Sequence, residues 1–163
     1  MFNLEGKNAF ISGASRGLGK QFANALAKAG ANVAITSRTL ESLDHTCHEI
    51  QSIEKKCIPL RMDVLEEQSI VDAAGKAESE LGSIDILINN AGCNIRKPAL
   101  EVTWKDWETV VDTNLKGAFF LAKEIAKGMT NRRYGRIVNI GSVTSVAGYA
   151  GLAPYGASRG GIK

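Results

Sequence analysis

The sequence predicts an α/β fold, a doubly wound parallel sheet that is cut off at its carboxyl-terminal end. Three observations carry this expectation. Short apolar runs alternate with helically spaced stretches along the whole chain, the runs are apolar enough to be buried on both faces, and a glycine-rich turn joins the first run to the first helical stretch. Parallel neighbours need a crossover helix, and such crossovers cover the strands on two sides.

Residues 7–12 form the first strand, which stops at Gly13. Residues 17–29 come next as a helix, with Leu18, Phe22, Ala25, Leu26 and Ala29 at helical spacing. The unit then recurs as a strand at 32–36 with a polar helix at 40–54. A strand at 56–61 precedes a helix at 66–81 that carries Ile70, Ala73, Ala74 and Ala77 on one side, and 84–88 is a nearly all-apolar fourth strand. Trp107, Val110, Val111, Leu115, Ala118, Leu121 and Ile125 make one stripe of a long helix at 104–131. A fifth strand occupies 136–140, and a last helix begins near Tyr155.

With 163 residues, 44% of them hydrophobic and 23% charged, the chain reads as one ordinary domain spanning 1–163. A domain of this size can remove roughly 70% of its unfolded surface from water, enough for a core without metals or bridges. Twenty basic against seventeen acidic residues leave +3, and no basic cluster is denser than Arg132 and Arg133 with Arg136, so no nucleic-acid partner is expected. No apolar stretch follows a basic start and nowhere do about 18 apolar residues run together, so neither export nor a membrane partner is expected. Cys47, Cys57 and Cys93 are odd in number and lack CxxC spacing, which suits free thiols in a reducing cytoplasm. His45 and His48 stand one turn apart around Cys47 but have no third ligand, and no metal site is expected.

The first turn, Gly13-Ala14-Ser15-Arg16-Gly17-Leu18-Gly19, sits where backbone amides and a helix dipole can hold a pyrophosphate. Gly13, Ser15, Arg16, Gly17, Leu18 and Gly19 are therefore candidate dinucleotide contacts. A side chain at Gly13 or Gly19 would obstruct the ligand or the helix, and Gly17 is free to take a positive φ. Sites for NAD usually place an acidic residue about 20 positions further on to accept the ribose hydroxyls. Here the second strand ends Thr36-Ser37-Arg38, with no carboxylate before Glu41. Arg38 and Arg16 offer guanidinium forks to a 2′-phosphate instead, so the expected cofactor is NADP(H), with NAD the alternative.

Four further residues suggest chemistry. Asn114 lies on the apolar stripe, where an amide needs a hydrogen-bond partner. Ser142 follows the fifth strand at the carboxyl edge, where ligands bind in open α/β sheets. Tyr155 and Arg159 share one helical face, a phenol beside a cation.

Together these features resemble the short-chain dehydrogenase/reductase family, marked by a TGxxxGxG turn, an Asn-Asn-Ala-Gly stretch and an Asn, Ser, Tyr, Lys tetrad with Tyr-x-x-x-Lys spacing. The turn here has Ser12 where the family usually has Thr. Asp63-Val64 looks like the pair beside the adenine, and Asn89-Asn90-Ala91-Gly92 closes the fourth strand, adding Asn90, Ala91 and Gly92 to the cofactor contacts. Asn114 falls in Asp112-Thr113-Asn114-Leu115-Lys116-Gly117, and Ser142 stands thirteen residues before Tyr155. The resemblance implies a Rossmann-type NAD(P)-binding domain and hydride transfer between the nicotinamide and a carbonyl/alcohol pair. It also implies that Tyr155 exchanges the proton, Ser142 hydrogen-bonds the substrate oxygen, Asn114 holds a water in the proton path, and Tyr155 and Arg159 touch the cofactor. A free tyrosine loses its proton near pH 10, so a neighbouring cation must stabilise the phenolate.

Two departures qualify the resemblance. Arg159 replaces the family's Lys; it stays protonated, cannot pass a proton on, and is a wide planar fork in place of a compact ammonium. It can still stabilise a Tyr155 phenolate by charge, and reduced rather than absent turnover is expected. Lys163 is two helical turns from Tyr155, roughly 12 Å, and a poor substitute. The chain also stops eight residues after Tyr155, whereas the family continues with further strands, so a fragment is expected, with partly uncovered helix stripes that the family uses for subunit pairing. The full-length form is expected to be a homo-oligomer, dimer or tetramer.

The overall reading is an oxidoreductase acting on a small-molecule substrate. The openings Phe2-Asn3-Leu4-Glu5-Gly6-Lys7 and Asn94-Ile95-Arg96-Lys97-Pro98-Ala99 look most like the gluconate and ketogluconate 5-dehydrogenase group. Arg96 and Lys97 are placed to attract a sugar-acid carboxylate, and read equally as solvated loop charges. A 3-oxoacyl thioester reductase is the alternative substrate reading, and a cofactor-binding but catalytically inactive module the alternative of another class. Cys93 reads as a small filler beside the nicotinamide, and Trp104 and Trp107 as packing anchors.

Overall fold

The computed structural model describes residues 3–163; Met1 and Phe2, the latter part of the opening stretch compared above, lie outside them. Strands β1 (Asn8–Ile11), β2 (Asn32–Ser37), β3 (Cys57–Arg61), β4 (Ile86–Asn89) and β5 (Arg136–Asn139) form one all-parallel sheet in the order β3-β2-β1-β4-β5. The helices are α1 (Gly17–Lys28), α2 (Asp44–Gln51), α3 (Glu67–Leu81), α4 (Trp104–Val111), α5 (Gly117–Arg132) and α6 (Ala153–Ile162). The chain winds outward from β1 to β3, then crosses back to β4 and β5, and that reversal opens a crevice at the carboxyl ends of β1 and β4.

Alternation along each strand splits the core in two. Phe10, Ala34, Leu60 and Leu87 meet Ile70, Ala73 and Ala77 of α3 and Leu121, Ile125 and Met129 of α5. Their neighbours Ile11, Val33, Ile35 and Ile88 point the other way, against Ala23 and Ala27 of α1 and Cys47 and Ile50 of α2. Each fully buried aliphatic or phenyl side chain stabilises this arrangement by roughly 1.5–3 kcal/mol. The small alanines of α1 and α3 let the helices lie close to the sheet. Gly75 of α3 interrupts that helix on its exposed side with open space around it, so Gly75→Ala should raise stability by about 1 kcal/mol in chemical denaturation.

The long helix expected at 104–131 is two helices joined by a π turn, Asp112–Lys116. Extra residues in the turn shift the phase of the buried face. Val110, Asn114, Ala118, Leu121 and Ile125 are buried, but Trp107 is 44% exposed and Trp104 81%, so the tryptophans are not the anchors their spacing suggests. Thr103 caps α4 reciprocally: its hydroxyl accepts from the Asp106 amide at 3.1 Å, and the Asp106 carboxylate accepts from the Thr103 amide at 3.0 Å. The helix expected at 40–54 is shorter, because Glu41–Leu43 winds as a 3₁₀ turn before α2. At the far edge, all four residues of β5 are exposed, with Ile137 and Val138 half open. Among the described residues no helix is long and apolar enough to cross a membrane.

Candidate active site

The turn after β1 is held by tethers from two directions, the loop after β4 and helix α2. Gly13 and Gly17 adopt left-handed φ values of +66° and +57°, which L side chains disfavour. A Cβ on Gly13 would stand 3.0 Å from Ala91 Cα, and one on Gly19 would collide with the Gly13 carbonyl oxygen and Asn90 Nδ2. The Ser12 hydroxyl accepts from the amides of Asn90 and Ala91, both at 2.9 Å. Asn90 answers by donating Nδ2–H to the carbonyls of Ser12 at 3.0 Å and Gly13 at 3.1 Å. From α2, Thr46 donates its hydroxyl to the Ala14 carbonyl at 3.2 Å. Arg16, the residue before α1, makes no side-chain cap, so the first amides of α1 keep their donors for a ligand.

Beside this turn lies a cleft of about 500 Å³. Gly13, Ser15, Arg16, Gly17 and Leu18 line one wall, with Thr36, Ser37 and Arg38 at the end of β2. Met62, Asp63, Val64 and Leu65 follow β3, Asn90, Ala91, Gly92 and Cys93 follow β4, and Thr109 and Thr113 look in from α4 and the π turn. The cleft thus brings together the expected cofactor contacts except Gly19, which packs beneath the turn, and Tyr155 and Arg159. Arg16 and Arg38 are exposed at its mouth, and among the described residues neither forms a salt bridge. The Thr36 hydroxyl, buried in its wall, has no hydrogen-bond partner. Thr36, Thr109 and Thr113 were not legible as lining residues; only the packing of β2 and α4 around the crevice turns them inward.

The expected reacting groups stand at the same carboxyl edge, outside the cleft lining. Asn114 is fully buried: its Oδ1 accepts from the Cys93 amide at 2.7 Å, while Nδ2 donates to the Cys93 carbonyl at 2.9 Å and to Ser158 Oγ at 3.0 Å. Ser158 passes a hydrogen bond to the Tyr155 carbonyl at 2.8 Å. One amide therefore ties the loop after β4 to α6. Ser142, half-buried, caps the 3₁₀ turn Val143–Ser145, its Oγ accepting from the Thr144 amide at 3.2 Å, and α6 packs on that turn. Tyr155 is half-buried, with the Arg159 guanidinium carbon 5.2 Å from its ring centroid. The Arg159 charge thus faces the ring, and Nη1 donates to the Ile140 carbonyl at 2.7 Å.

Lys97 does not stay free for a substrate carboxylate: its Nζ lies 2.7 Å from Asp106. That contact, with the Thr103 hydrogen bonds, holds the Asp106 carboxyl down at about 2. Arg96 remains exposed beside it. Cys93 is half-buried, as expected of a small filler, and also lines the cleft, with Sγ donating to the Thr109 carbonyl at 3.6 Å. Cys47 donates to the Cys57 carbonyl at 3.5 Å, and burial pushes the Cys57 thiol well above its ordinary range.

Residues 7–163 match the family described as short chain dehydrogenase. The chain is 39% identical over 163 residues to gluconate 5-dehydrogenase of Gluconobacter oxydans, covering 100% of this chain and 64% of that protein. It is 38% identical over 160 residues to a 3-oxoacyl-acyl-carrier-protein reductase of Vibrio cholerae, covering 98% of this chain and 64% of that one. The crystal structure of a short-chain type dehydrogenase/reductase from Mycobacterium marinum superposes with a TM-score of 0.94 at 32% identity, over 99% of this chain and 66% of the other. The chain therefore spans a little under two thirds of the length of the curated relatives it matches.

Proposed function

The chain belongs to the short chain dehydrogenase family, and from that premise we propose that it is the cofactor-binding part of an NADP(H)-linked oxidoreductase acting on a small hydroxy or keto acid. The observation that carries the cofactor choice is the pair Arg16 and Arg38, unpaired at the cleft mouth where β2 ends without a carboxylate. Two guanidinium forks suit a phosphate dianion and gain less from a bare ribose diol. The residues present fit such a ligand: a glycine cradle that side chains would fill, free helix amides, and an unpartnered Thr36 hydroxyl in the wall.

When bound, the nicotinamide supplies or accepts the hydride. The chain does the rest. Amides at the amino end of α1 hold the diphosphate, the Ala14 amide being already given to the Thr36 carbonyl, Ser142 and Tyr155 hold the substrate oxygen, and Tyr155 Oη exchanges the proton with it. Asn114 positions Cys93 and α6 relative to each other, and Arg159 supplies positive charge beside the phenol. The sugar-acid reading is supported by the likeness to gluconate 5-dehydrogenase and by the free charge of Arg96. The proposal extends to a cytoplasmic homo-oligomer of the whole protein, supported by free thiols and by apolar Phe119 and Trp104, 62% and 81% exposed.

Calorimetric titration with NADPH and NADH tests the cofactor assignment. The unaltered chain should prefer NADPH by about tenfold or more, and Arg38→Asp should reverse the order, since each lost charge-assisted contact costs on the order of 1.5–3 kcal/mol. An unchanged preference in Arg38→Asp removes the argument.

A further inference from the structure

Strand β5 forms one edge of the sheet, and all four of its residues are exposed. Arg136 and Ile140 give their amides to the carbonyls of Asp85 and Asn89, at 2.9 and 3.1 Å. Every second residue of a parallel strand turns to the same neighbour, so Arg136, Val138 and Ile140 bond to β4, while Ile137 and Asn139 turn their amides and carbonyls outward.

The other edge is built differently. The Lys56 carbonyl accepts from the Val33 amide at 2.9 Å and the Met62 amide donates to the Ser37 carbonyl at 2.8 Å, so by the same alternation Cys57, Pro59 and Arg61 face outward on β3. Pro59 stands in the middle of that edge without an N–H, and a strand laid against it would lack its central bond. No proline guards β5, and its Ile137 and Val138 are 39% and 45% exposed. An edge with free donors, free acceptors and β-branched side chains is a template for another strand.

The edge is also complementary to itself. In an antiparallel pair with a two-fold axis at Val138, Ile137 of each copy faces Asn139 of the other, and each such pair exchanges both of its hydrogen bonds. An axis one residue to either side would set Ile137 or Asn139 opposite a residue outside β5. The two Val138 side chains meet at the axis, whereas the two Arg136 residues lie roughly 14 Å apart along the strands, beyond the screening length of about 10 Å.

We infer that two copies of this chain pair β5 with β5, antiparallel about Val138, so that their sheets become one. Four residues a side bury less than the roughly 800 Å² per partner of a standard interface, so the association is reversible and depends on concentration. No residue of β5 lines the cleft, so pairing and nucleotide binding stand or fall separately.

Sedimentation equilibrium of the whole 163-residue chain, from about 5 to 500 μM, is the test. The mass should rise with concentration, and Ile137→Pro, which removes an outward N–H and no bond to β4, should weaken the association about tenfold or more. Val138→Lys and Val138→Glu place like charges at the axis and should each self-associate about tenfold more weakly, whereas a mixture of the two should pair as well as the unaltered chain or better. If circular dichroism shows Ile137→Pro unfolded, the mixed Val138 variants decide, since they keep every backbone donor. The inference is overturned if the chain sediments as a single copy at about 500 μM, if folded Ile137→Pro associates as before, or if mixing the Val138 variants restores nothing. Loss of association in Phe119→Asp with none in Ile137→Pro would place the contact on the helical face and overturn it as well.

Discussion

Gly19→Ala is expected to weaken dinucleotide binding severely and to lower the melting temperature at the same time. The added Cβ would overlap the Gly13 carbonyl oxygen and Asn90 Nδ2. Neither can step aside cheaply. Gly13 is main chain in a left-handed conformation, and Asn90 Nδ2 is committed to two carbonyls. Relief requires α1 to move off the turn, which spreads the amides that converge on the diphosphate. Overpacking of this kind costs about 1–3 kcal/mol, or roughly 2–12 °C in melting temperature for a chain of this length. Affinity for NADPH should fall by about a hundredfold or more, because the loss falls on several hydrogen bonds at once. Gly17→Ala is the contrast: no atom stands within 4 Å of its would-be Cβ, so only the strain of a positive φ applies, about 1–2 kcal/mol. Calorimetry and thermal denaturation of the two variants check the ordering, and Gly19→Ala binding as well as the unaltered chain would show that the turn is not the grip.

Asn114→Ala should cost about 3–5 kcal/mol in urea denaturation, the largest loss expected from any single amide in the chain. The removed side chain makes three hydrogen bonds from a fully buried position, and two of its partners are the amide and carbonyl of one residue, Cys93. Truncation leaves both groups without a partner and detaches α6 from the loop after β4. Asn114→Asp does not rescue, since a carboxylate cannot donate to the Cys93 carbonyl and is itself costly to bury. A loss below about 1 kcal/mol would mean that other contacts hold α6 in place.

Most of the fold was legible because each strand is a run that can be buried on both faces, and because Ile70, Ala73, Ala74 and Ala77 repeat with the helical period. The break at Asp112–Lys116 was not. Residues on either side of a π turn can still be threaded on one idealised stripe, and only the exposure of Trp107 shows that the face has rotated. The short 3₁₀ turn ahead of α2 escaped for a related reason, since Glu41–Leu43 is as helical in composition as α2 itself. In the site, the glycine turn, Asp63-Val64 and Asn90–Gly92 carried local signals and do converge on one cleft. Thr36 and Thr46 carried none: a threonine at a strand end or inside a polar helix becomes informative only when packing aims its hydroxyl. The direction taken by Arg159 was equally hidden, because charge and helical spacing say that it can meet Tyr155 but not that Gly92 and the Ile140 carbonyl will hold it.

The cleft is built entirely from residues 13–113, and the last buried side chain of either core cluster is Met129, whereas Ser142, Tyr155 and Arg159 come afterwards. The walls of the pocket and the groups expected to react therefore belong to separate stretches of chain. Substitutions at Ser142 or Tyr155 leave every wall of that pocket in place, so nucleotide binding and turnover are expected to be separable losses.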